Sequence, residues 1–181
     1  VTGLQIEKSL LLQVSALPNI TLLPHHFSID LITEHHFKHK ISQPEPGISC
    51  YGAYVMDQRT CRIEKYVSKV TLLATGGSGQ VYRTTTNPLI ATGDGVAMAY
   101  RAMAGVKDME FIQFHPTAFF AQDDNPSFLI TEAIRGHGAY LRTKDGERFM
   151  FRYDDRGELA SRDIVAKAID NELITRGDEC V

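Results

Sequence analysis

Three short segments in the C-terminal half of the chain carry side chains that could act on a small molecule: 113–117, 131–132 and 161–163. They supply an imidazole, a hydroxyl, a carboxylate and a guanidinium, on His115, Thr131, Glu132 and Arg162. Imidazole and guanidinium groups hold carboxylates through charge-assisted hydrogen bonds, and a carboxylate can exchange a proton. This set of groups suits a site that binds a small dicarboxylate and moves a proton on it. None of the three segments completes a cofactor site by itself.

Three of these residues also have purely structural interpretations. His115 precedes Pro116, which favours an extended backbone, and its ring could be a core imidazole that bonds the main chain. Thr131 and Glu132 follow the apolar run 128–130, where they could end a strand or cap a helix. The residue types alone leave both interpretations open.

Arg162 is an unusual candidate for a proton-transfer group, because a free guanidinium stays protonated up to about pH 12. Removing its proton would require desolvation and neighbouring charges. The structural alternative is a residue at a helix start that pairs with Asp163, Glu158 or a bound carboxylate. A cation at that end of a helix opposes the helix dipole, so a purely structural role is less natural there.

Apolar periodicity predicts the elements that must position these groups. Helices are expected at 4–17, 96–104 and 162–175, the last with Ser161 as its N-cap and one buried stripe: Ile164, Val165, Ala168, Ile169 and Leu173. Strands are expected at 20–23, 27–33, 51–56, 62–66, 69–74 and 108–114, with further apolar segments at 128–134 and 139–141. Of these, 51–56 and 62–66 form a hairpin or meander, 69–74 is buried, and loops are expected at 43–47, 144–147 and 153–157. The mixture predicts an α+β fold with a domain boundary near 106–110.

The composition is that of a globular chain, with 43% hydrophobic and 23% charged residues. A net charge of −3 gives no electrostatic footprint for nucleic acid, and no apolar run approaches the roughly 20 residues that span a bilayer. The chain has three cysteines, Cys50, Cys61 and Cys180. Because their number is odd and none are at CxxC spacing, they favour a reducing cytoplasm over a disulfide framework or a zinc site. No signal peptide is expected at the first residues, and both ends suggest a piece of a longer protein.

Two glycine-containing turns, 75–79 and 93–95, could bring backbone N–H groups close to a phosphate or a ring system. Both fail the dinucleotide-binding fingerprint, because Tyr82 and Met98 occupy the place of its third glycine. On spacing alone both segments are better interpreted as ordinary tight turns. Asp94 could be a helix N-cap, or its carboxylate could bind a hydroxyl group of a cofactor. Five histidines are expected to be loop or rim residues and not a metal site, because neighbours on a strand point apart: His25, His26, His35, His36 and His39.

Several motifs occur along the chain in one order: 74–77, 92–95, 110–117, 131–132, 135–136, 146–150 and 158–165. In this order they resemble the flavoprotein family of succinate dehydrogenase, fumarate reductase and L-aspartate oxidase, and the resemblance covers nearly the whole chain. Segments typical of the L-aspartate oxidase branch lie at 18–20, 30–32, 82–88, 156–160 and 168–170. At His137 the chain departs from the Glu or Asp usual in the family, and we assign this residue no catalytic role.

The resemblance implies a role for each matching residue. Arg162 would be the catalytic acid/base. Three residues would line the substrate site: His115, Thr131 and Glu132, of which His115 and Thr131 would bond a substrate carboxylate. Seven residues would contact FAD: Phe27, Ser28, Ala74, Thr75, Gly76, Gly77 and Asp94. No metal is implied.

The resemblance also implies an activity, which is oxidation of L-aspartate to iminoaspartate, the first step toward quinolinate and NAD. FAD would be bound non-covalently, fumarate or oxygen would accept the electrons, and quinolinate synthase is a candidate partner. Residues 1–107 would be part of an α/β FAD-binding domain with a β-meander, and 108–181 a truncated α+β capping domain. Because the family's N-terminal phosphate-binding segment lies outside it, the chain alone is expected to lack FAD and activity. The alternatives are a fumarate reductase or succinate dehydrogenase flavoprotein subunit, and a non-catalytic folded module.

Overall fold

A computed structural model describes residues 2–36, 47–121 and 125–181. The described helices are α1 (Thr2–Ser15), α2 (Asp94–Arg101), α3 (Glu132–Gly136) and α4 (Arg162–Arg176), and the strands are β1 (His26–Thr33), β2 (Cys50–Asp57) and β3 (Arg62–Val67). The chain divides into two compact units, Val1–Leu72 with Met98–Ala104, and Leu73–Ala97 with Gly105–Val181. In the part of the chain that the structure describes, no helix has the length and apolar character needed to cross a membrane. The domain boundary between 107 and 108 stays a prediction.

The first unit is built on an antiparallel sheet in the order β1-β2-β3, which confirms the predicted meander. The turn between β2 and β3 forms because the Asp57 carboxylate accepts the Arg59 N–H at 2.9 Å and the Thr60 hydroxyl at 3.1 Å. At the end of α2, Arg101 donates to the Asp30 carboxylate at 3.1 Å and to the carbonyl oxygen of Ile29 at 2.8 Å. These bonds attach the end of α2 to strand β1.

The core of the second unit forms around Phe149 and Met150, which are fully buried. Helix α4 packs its predicted stripe there, with Val165 and Ala168 fully buried. Gly177 follows the helix in the left-handed region, at φ 69°, and donates its N–H to the carbonyl oxygen of Leu173, as expected for a glycine at this position. The predicted helix 162–175 is therefore confirmed.

Three predicted strands are wrong: 20–23, 69–74 and 108–114 have no strand structure. In 69–74, Val70 and Leu72 are 83% and 86% exposed, and no described strand pairs with them. An apolar run becomes a strand only where a neighbour completes its hydrogen-bond ladder. In 108–114, Asp108 has φ 59° and its carbonyl oxygen accepts the N–H of Phe111, so the backbone turns there.

The apolar segment 128–134 is not one continuous element. Leu129 forms a single bridge with Ala118, after which the chain enters α3 at Glu132. The loop predicted at 43–47 lies, apart from Gly47, outside the described residues. The α+β character is confirmed, whereas the capping domain stays a prediction.

Candidate functional site

The carboxylate of Glu132 and the guanidinium of Arg162 form a two-point ion pair that joins the starts of α3 and α4. Arg162 Nε donates to Glu132 Oε1 at 2.7 Å, and Arg162 Nη2 donates to Oε2 at 2.9 Å. Two parallel bonds of this kind fix both side chains in one orientation. The two side chains are 36% and 47% exposed, so the pair is open to a ligand.

The local sequence explains why both residues lie at helix starts. Thr131 has an extended backbone, and its Oγ1 accepts the Ala133 N–H at 3.4 Å as the N-cap of α3. Ser161 has the same extended conformation before α4, but its hydroxyl donates to the Asp163 carboxylate at 2.6 Å and caps no backbone group. Arg162 therefore begins a helix whose dipole disfavours a cation, and its bonds to Glu132 offset that cost.

Arg135, which the sequence reasoning did not select, also binds Glu132. Its Nη2 donates to Glu132 Oε1 at 3.2 Å, and its Nη1 donates to the carbonyl oxygen of Glu158 at 2.7 Å. The residue is 8% exposed, and its buried Nε has no hydrogen-bond partner among the described residues. Its position three residues after Glu132 is a signal only on a helix, and the pattern did not predict a helix there.

Gln113 completes the contacts of the ion pair, because its Oε1 accepts Arg162 Nη1 at 3.4 Å. The hydrogen bonds from Arg162 hold the pKa of Glu132 below its usual value, and the charges of Arg162, Arg135 and His115 act in the same direction. Glu132 in turn raises the pKa of Arg162. At neutral pH the pair is therefore a carboxylate and a guanidinium, which favours donation to a bound anion.

The ring of His115 is half-buried next to the buried residues Pro116 and Thr117. Its Nδ1 lies 3.0 Å from the carbonyl oxygen of Thr117 and 3.3 Å from that residue's nitrogen. Both contacts use Nδ1, so Nε2 is the ring nitrogen available to a ligand. All four predicted catalytic and substrate residues belong to the second unit, and two of them bond directly.

The two glycine turns lie against each other in the second unit. The Gly93 N–H donates to the carbonyl oxygen of Gly77 at 3.2 Å. A Cβ atom on Gly95 would lie 1.8 Å from Thr75 Oγ1, so only glycine allows this approach. Ala74 to Gly77 and Asp94 are exposed, and Asp94 begins α2. Open backbone N–H groups beside a helix start suit a ligand with phosphate groups.

The other two predicted cofactor residues lie on β1 in the first unit. Phe27 pairs with Met56 across the sheet and is 40% exposed, and Ser28 pairs with Val55. The register of the sheet shifts directly after Ser28. This irregularity frees part of the main chain at that position from regular pairing.

Two histidines outside this site, His35 and His36, bond residues of the first unit, and His35 Nε2 lies 3.2 Å from Met103 Sδ. His35 Nδ1 lies 2.9 Å from Thr33 Oγ1, and His36 Nδ1 accepts the Thr33 N–H at 3.2 Å. His137 is exposed at the end of α3, and His39 lies outside the described residues. Within the described ranges, no group of three or more His, Cys, Asp or Glu side chains could hold a metal ion.

The whole chain, residues 1–181, matches the protein family described as FAD binding domain. It is 51% identical to L-aspartate oxidase 1 of Ralstonia nicotianae, over 99% of this chain and 32% of that protein. It is 48% identical to the chloroplastic L-aspartate oxidase of Oryza sativa subsp. japonica, over 99% of this chain and 28% of that protein. A solved quinol-fumarate reductase with menaquinol molecules is similar at TM-score 0.69 and 30% identity, over 89% of this chain and 27% of that one. The chain thus spans 28–32% of the length of the two oxidases.

Proposed function

The chain belongs to the FAD-binding domain family, and from this membership we propose that it is the central part of an L-aspartate oxidase. The complete protein oxidises L-aspartate to iminoaspartate with non-covalently bound FAD. The observation that carries the proposal is the two-point ion pair of Glu132 and Arg162 in the unit that also carries His115. Identity of 48–51% to relatives named L-aspartate oxidase supports aspartate as the substrate among the dicarboxylates that such a site suits.

The glycine turns fit the cofactor that family membership implies. Gly93 and Gly95 let the turn at Thr75–Gly77 lie against the start of α2 without a side chain between them. Ala74, Thr75, Gly76, Gly77 and Asp94 would hold FAD there, and Phe27 and Ser28 would add main-chain contacts. FAD, when bound, supplies the oxidising power by accepting two electrons as a hydride.

The substrate carboxylates would bind to donors that the site already presents. His115 keeps Nε2 for a substrate oxygen. Thr131 accepts one bond as a helix cap and can still donate its hydroxyl proton. Arg162 has five N–H groups, of which its described bonds use Nε, one on Nη1 and one on Nη2. These donors suit one end of L-aspartate.

Conversion of an amine to an imine releases a proton in addition to the hydride, and the ion pair can take up that proton. Glu132 raises the pKa of Arg162, so the guanidinium remains protonated. It can accept a substrate proton only by passing its own to Glu132 Oε1, which lies 2.7 Å from Nε. In this proposal Arg162 is the acid/base and Glu132 is its proton partner.

Substitution of Arg162 in the longer protein tests this function. Arg162→Leu is expected to retain FAD absorbance and to abolish L-aspartate oxidation, and Arg162→Lys is expected to be nearly as inactive because it loses the two-point geometry. The unmutated longer protein is called the parent below. If Arg162→Leu oxidised L-aspartate as fast as the parent, Arg162 could not be the acid/base. A parental protein that binds FAD but leaves L-aspartate unchanged would refute the substrate.

A second candidate is a flavoprotein subunit of fumarate reductase or succinate dehydrogenase, which the likeness to the quinol-fumarate reductase favours. Fumarate reduction without aspartate oxidation by the purified parent would select it. As the electron acceptor of the oxidase we propose oxygen or fumarate, and quinolinate synthase as the enzyme that consumes iminoaspartate. The cytoplasm remains the compartment expected from the three free cysteines.

The isolated 181-residue chain is a separate case. We propose that residues 1–107 belong to the FAD-binding domain and 108–181 to the capping domain. The chain alone would be a folded module without FAD, because it covers only 28–32% of the oxidases that it resembles. Flavin absorbance in stoichiometric amount would contradict this.

A further inference from the structure

We infer that Glu158 and Arg148 are positioning residues: they hold Arg135, and through it the carboxylate of Glu132, in the orientation that binds Arg162. The inference rests on the proposed function, because it concerns the same site. Arg135 is the link, since it bonds both Glu158 and Glu132.

Glu158 is anchored through its side chain. The residue is 3% exposed, and Arg148 Nε lies 3.0 Å and 3.2 Å from its two carboxylate oxygens. Arg148 Nη2 also donates to Oε2, and the Leu141 N–H donates to Oε1 at 3.2 Å. Burial by itself would raise the pKa of Glu158, but the bonds from Arg148 and from the main chain lower it. The carboxylate therefore stays ionised and fixed.

Arg148 is itself held from two sides. The central carbon of its guanidinium lies 3.8 Å from the ring centre of Tyr140 and 4.3 Å from that of Phe151. Gly157 has φ 56°, and a Cβ atom there would lie 3.1 Å from the Phe151 ring. Glycine thus brings the main chain that carries Glu158 directly against this stack.

The same Glu158 residue fixes Arg135 through its carbonyl oxygen. Arg135 Nη1 donates to that oxygen at 2.7 Å, while Nη2 at the other side of the guanidinium donates to Glu132 Oε1 at 3.2 Å. Because the buried Nε has no partner in the described part of the chain, these two contacts determine the orientation of the guanidinium. A displaced main chain at Glu158 would therefore move Arg135 and weaken its hold on Glu132.

Glu158→Gln in the longer protein tests the inference, with Glu172→Gln as the matched control. Both substitutions remove a buried carboxylate bonded to arginine in the same unit. Only Glu158 also contacts Arg135, through its main-chain carbonyl oxygen, which the loss of the carboxylate is expected to displace. Both are expected to lower the thermal midpoint. Only Glu158→Gln is expected to lower kcat for L-aspartate, by about 10- to 100-fold, with KM little changed, because the reacting geometry is displaced.

The pH profile of kcat gives a second readout. Glu132 faces Arg162 on α4, Arg135 on its own helix, and His115 on the loop before Ala118. Loss of the Arg135 contact raises the pKa of Glu132, so the acid limb of the profile moves to higher pH. Arg148→Lys, which retains the charge but loses the planar fork, is expected to show a smaller shift in the same direction.

If Glu158→Gln and the control Glu172→Gln had the same kcat and the same acid limb of the pH profile, the inference would be overturned. The proposed function would remain intact. If the parental protein does not oxidise L-aspartate, the proposed function fails by itself. Crystal structures of the parent and of Glu158→Gln then test the positioning directly. A displaced Arg135 guanidinium supports it, and an unchanged contact with Glu132 refutes it.

Discussion

Two carboxylates of the second unit each bind two arginines, but in opposite surroundings. The side chain of Glu172 is 8% exposed and accepts bonds from Arg152 at 2.6 Å, Tyr153 at 2.7 Å and Arg176 at 3.0 Å. The side chain of Glu132 is 36% exposed, and one of its arginines keeps a buried nitrogen without a described partner. A fully bonded, buried carboxylate makes its surroundings rigid, whereas a half-exposed one can exchange bonds with a ligand. The cluster around Glu172 and the candidate site around Glu132 contain the same residue types. They differ in solvent exposure and in whether every hydrogen-bonding group has a described partner.

Of the substitutions that test this comparison, Glu132→Gln is expected to have the largest effect, because Glu132 takes part in the proposed chemistry. Glu132→Gln in the parental protein should lower kcat for L-aspartate by about 10²-fold, because an amide cannot take the proton that Arg162 passes on. The thermal midpoint should fall only a little, since the bonds to Arg162 are half-exposed and the amide oxygen can still accept the bond from Arg135 Nη2. Steady-state kinetics and thermal unfolding measure the two effects. A variant with parental kcat would make Glu132 a structural residue like Glu172.

The reverse pattern is expected for Glu172→Gln. An amide retains some of the hydrogen bonds, but the buried side chain at 172 loses its charged bonds to Arg152 and Arg176, at a cost of about 2 kcal/mol in the free energy of unfolding. Turnover of L-aspartate at saturation should stay close to the parental value, because Glu172 has no bond to the site residues. Urea unfolding checks the first statement and kinetics the second. A large loss of kcat would show that the two clusters are coupled.

A smaller effect is expected from acid. The hydroxyl of Tyr153 and then Arg176 and Arg152 lower the pKa of Glu172 from 4.5 to about 2. A carboxylate whose folded-state pKa is lowered stabilises the fold fully above its unfolded pKa, and this stabilisation is lost as pH falls from 4.5 towards 2. The thermal midpoints of the parent and of Glu172→Gln should therefore converge across that window. Asp154, whose pKa is also about 2, is present in both proteins and cancels in the comparison. A gap that stays constant across the window would contradict the assignment.

Features with a local signal could be predicted from the sequence. The β2–β3 turn depends on Asp57 and Thr60, and the buried face of α4 follows from the spacing of Val165 and Ala168. The strand predicted at 69–74 was wrong, because a strand depends on a partner strand whose presence its own residues do not reveal.

The candidate site shows the same division. The residue types of Glu132 and Arg162 could be selected, but their pairing could not, since thirty positions separate them. Arg135 was missed because a buried cation is rare and its helix was not predicted. Glu172 lies seven residues after Val165 on the buried stripe, with Arg176 four residues further, so a signal for its cluster was present in the spacing.

The smallest effect is expected at Ser161, where the two helix starts differ. Thr131 accepts a backbone N–H of α3, whereas the hydroxyl of Ser161 donates to the Asp163 carboxylate at 2.6 Å. Loss of a true N-cap costs about 1 kcal/mol, so Ser161→Ala should cost less than that, and Thr131→Ala should cost more than Ser161→Ala. Thermal unfolding of the two variants compares them, and kcat should fall only for Thr131→Ala, whose hydroxyl is proposed to bind substrate. Equal losses of stability would mean that Ser161 caps α4 in solution, and the contrast between the two helix starts would then disappear.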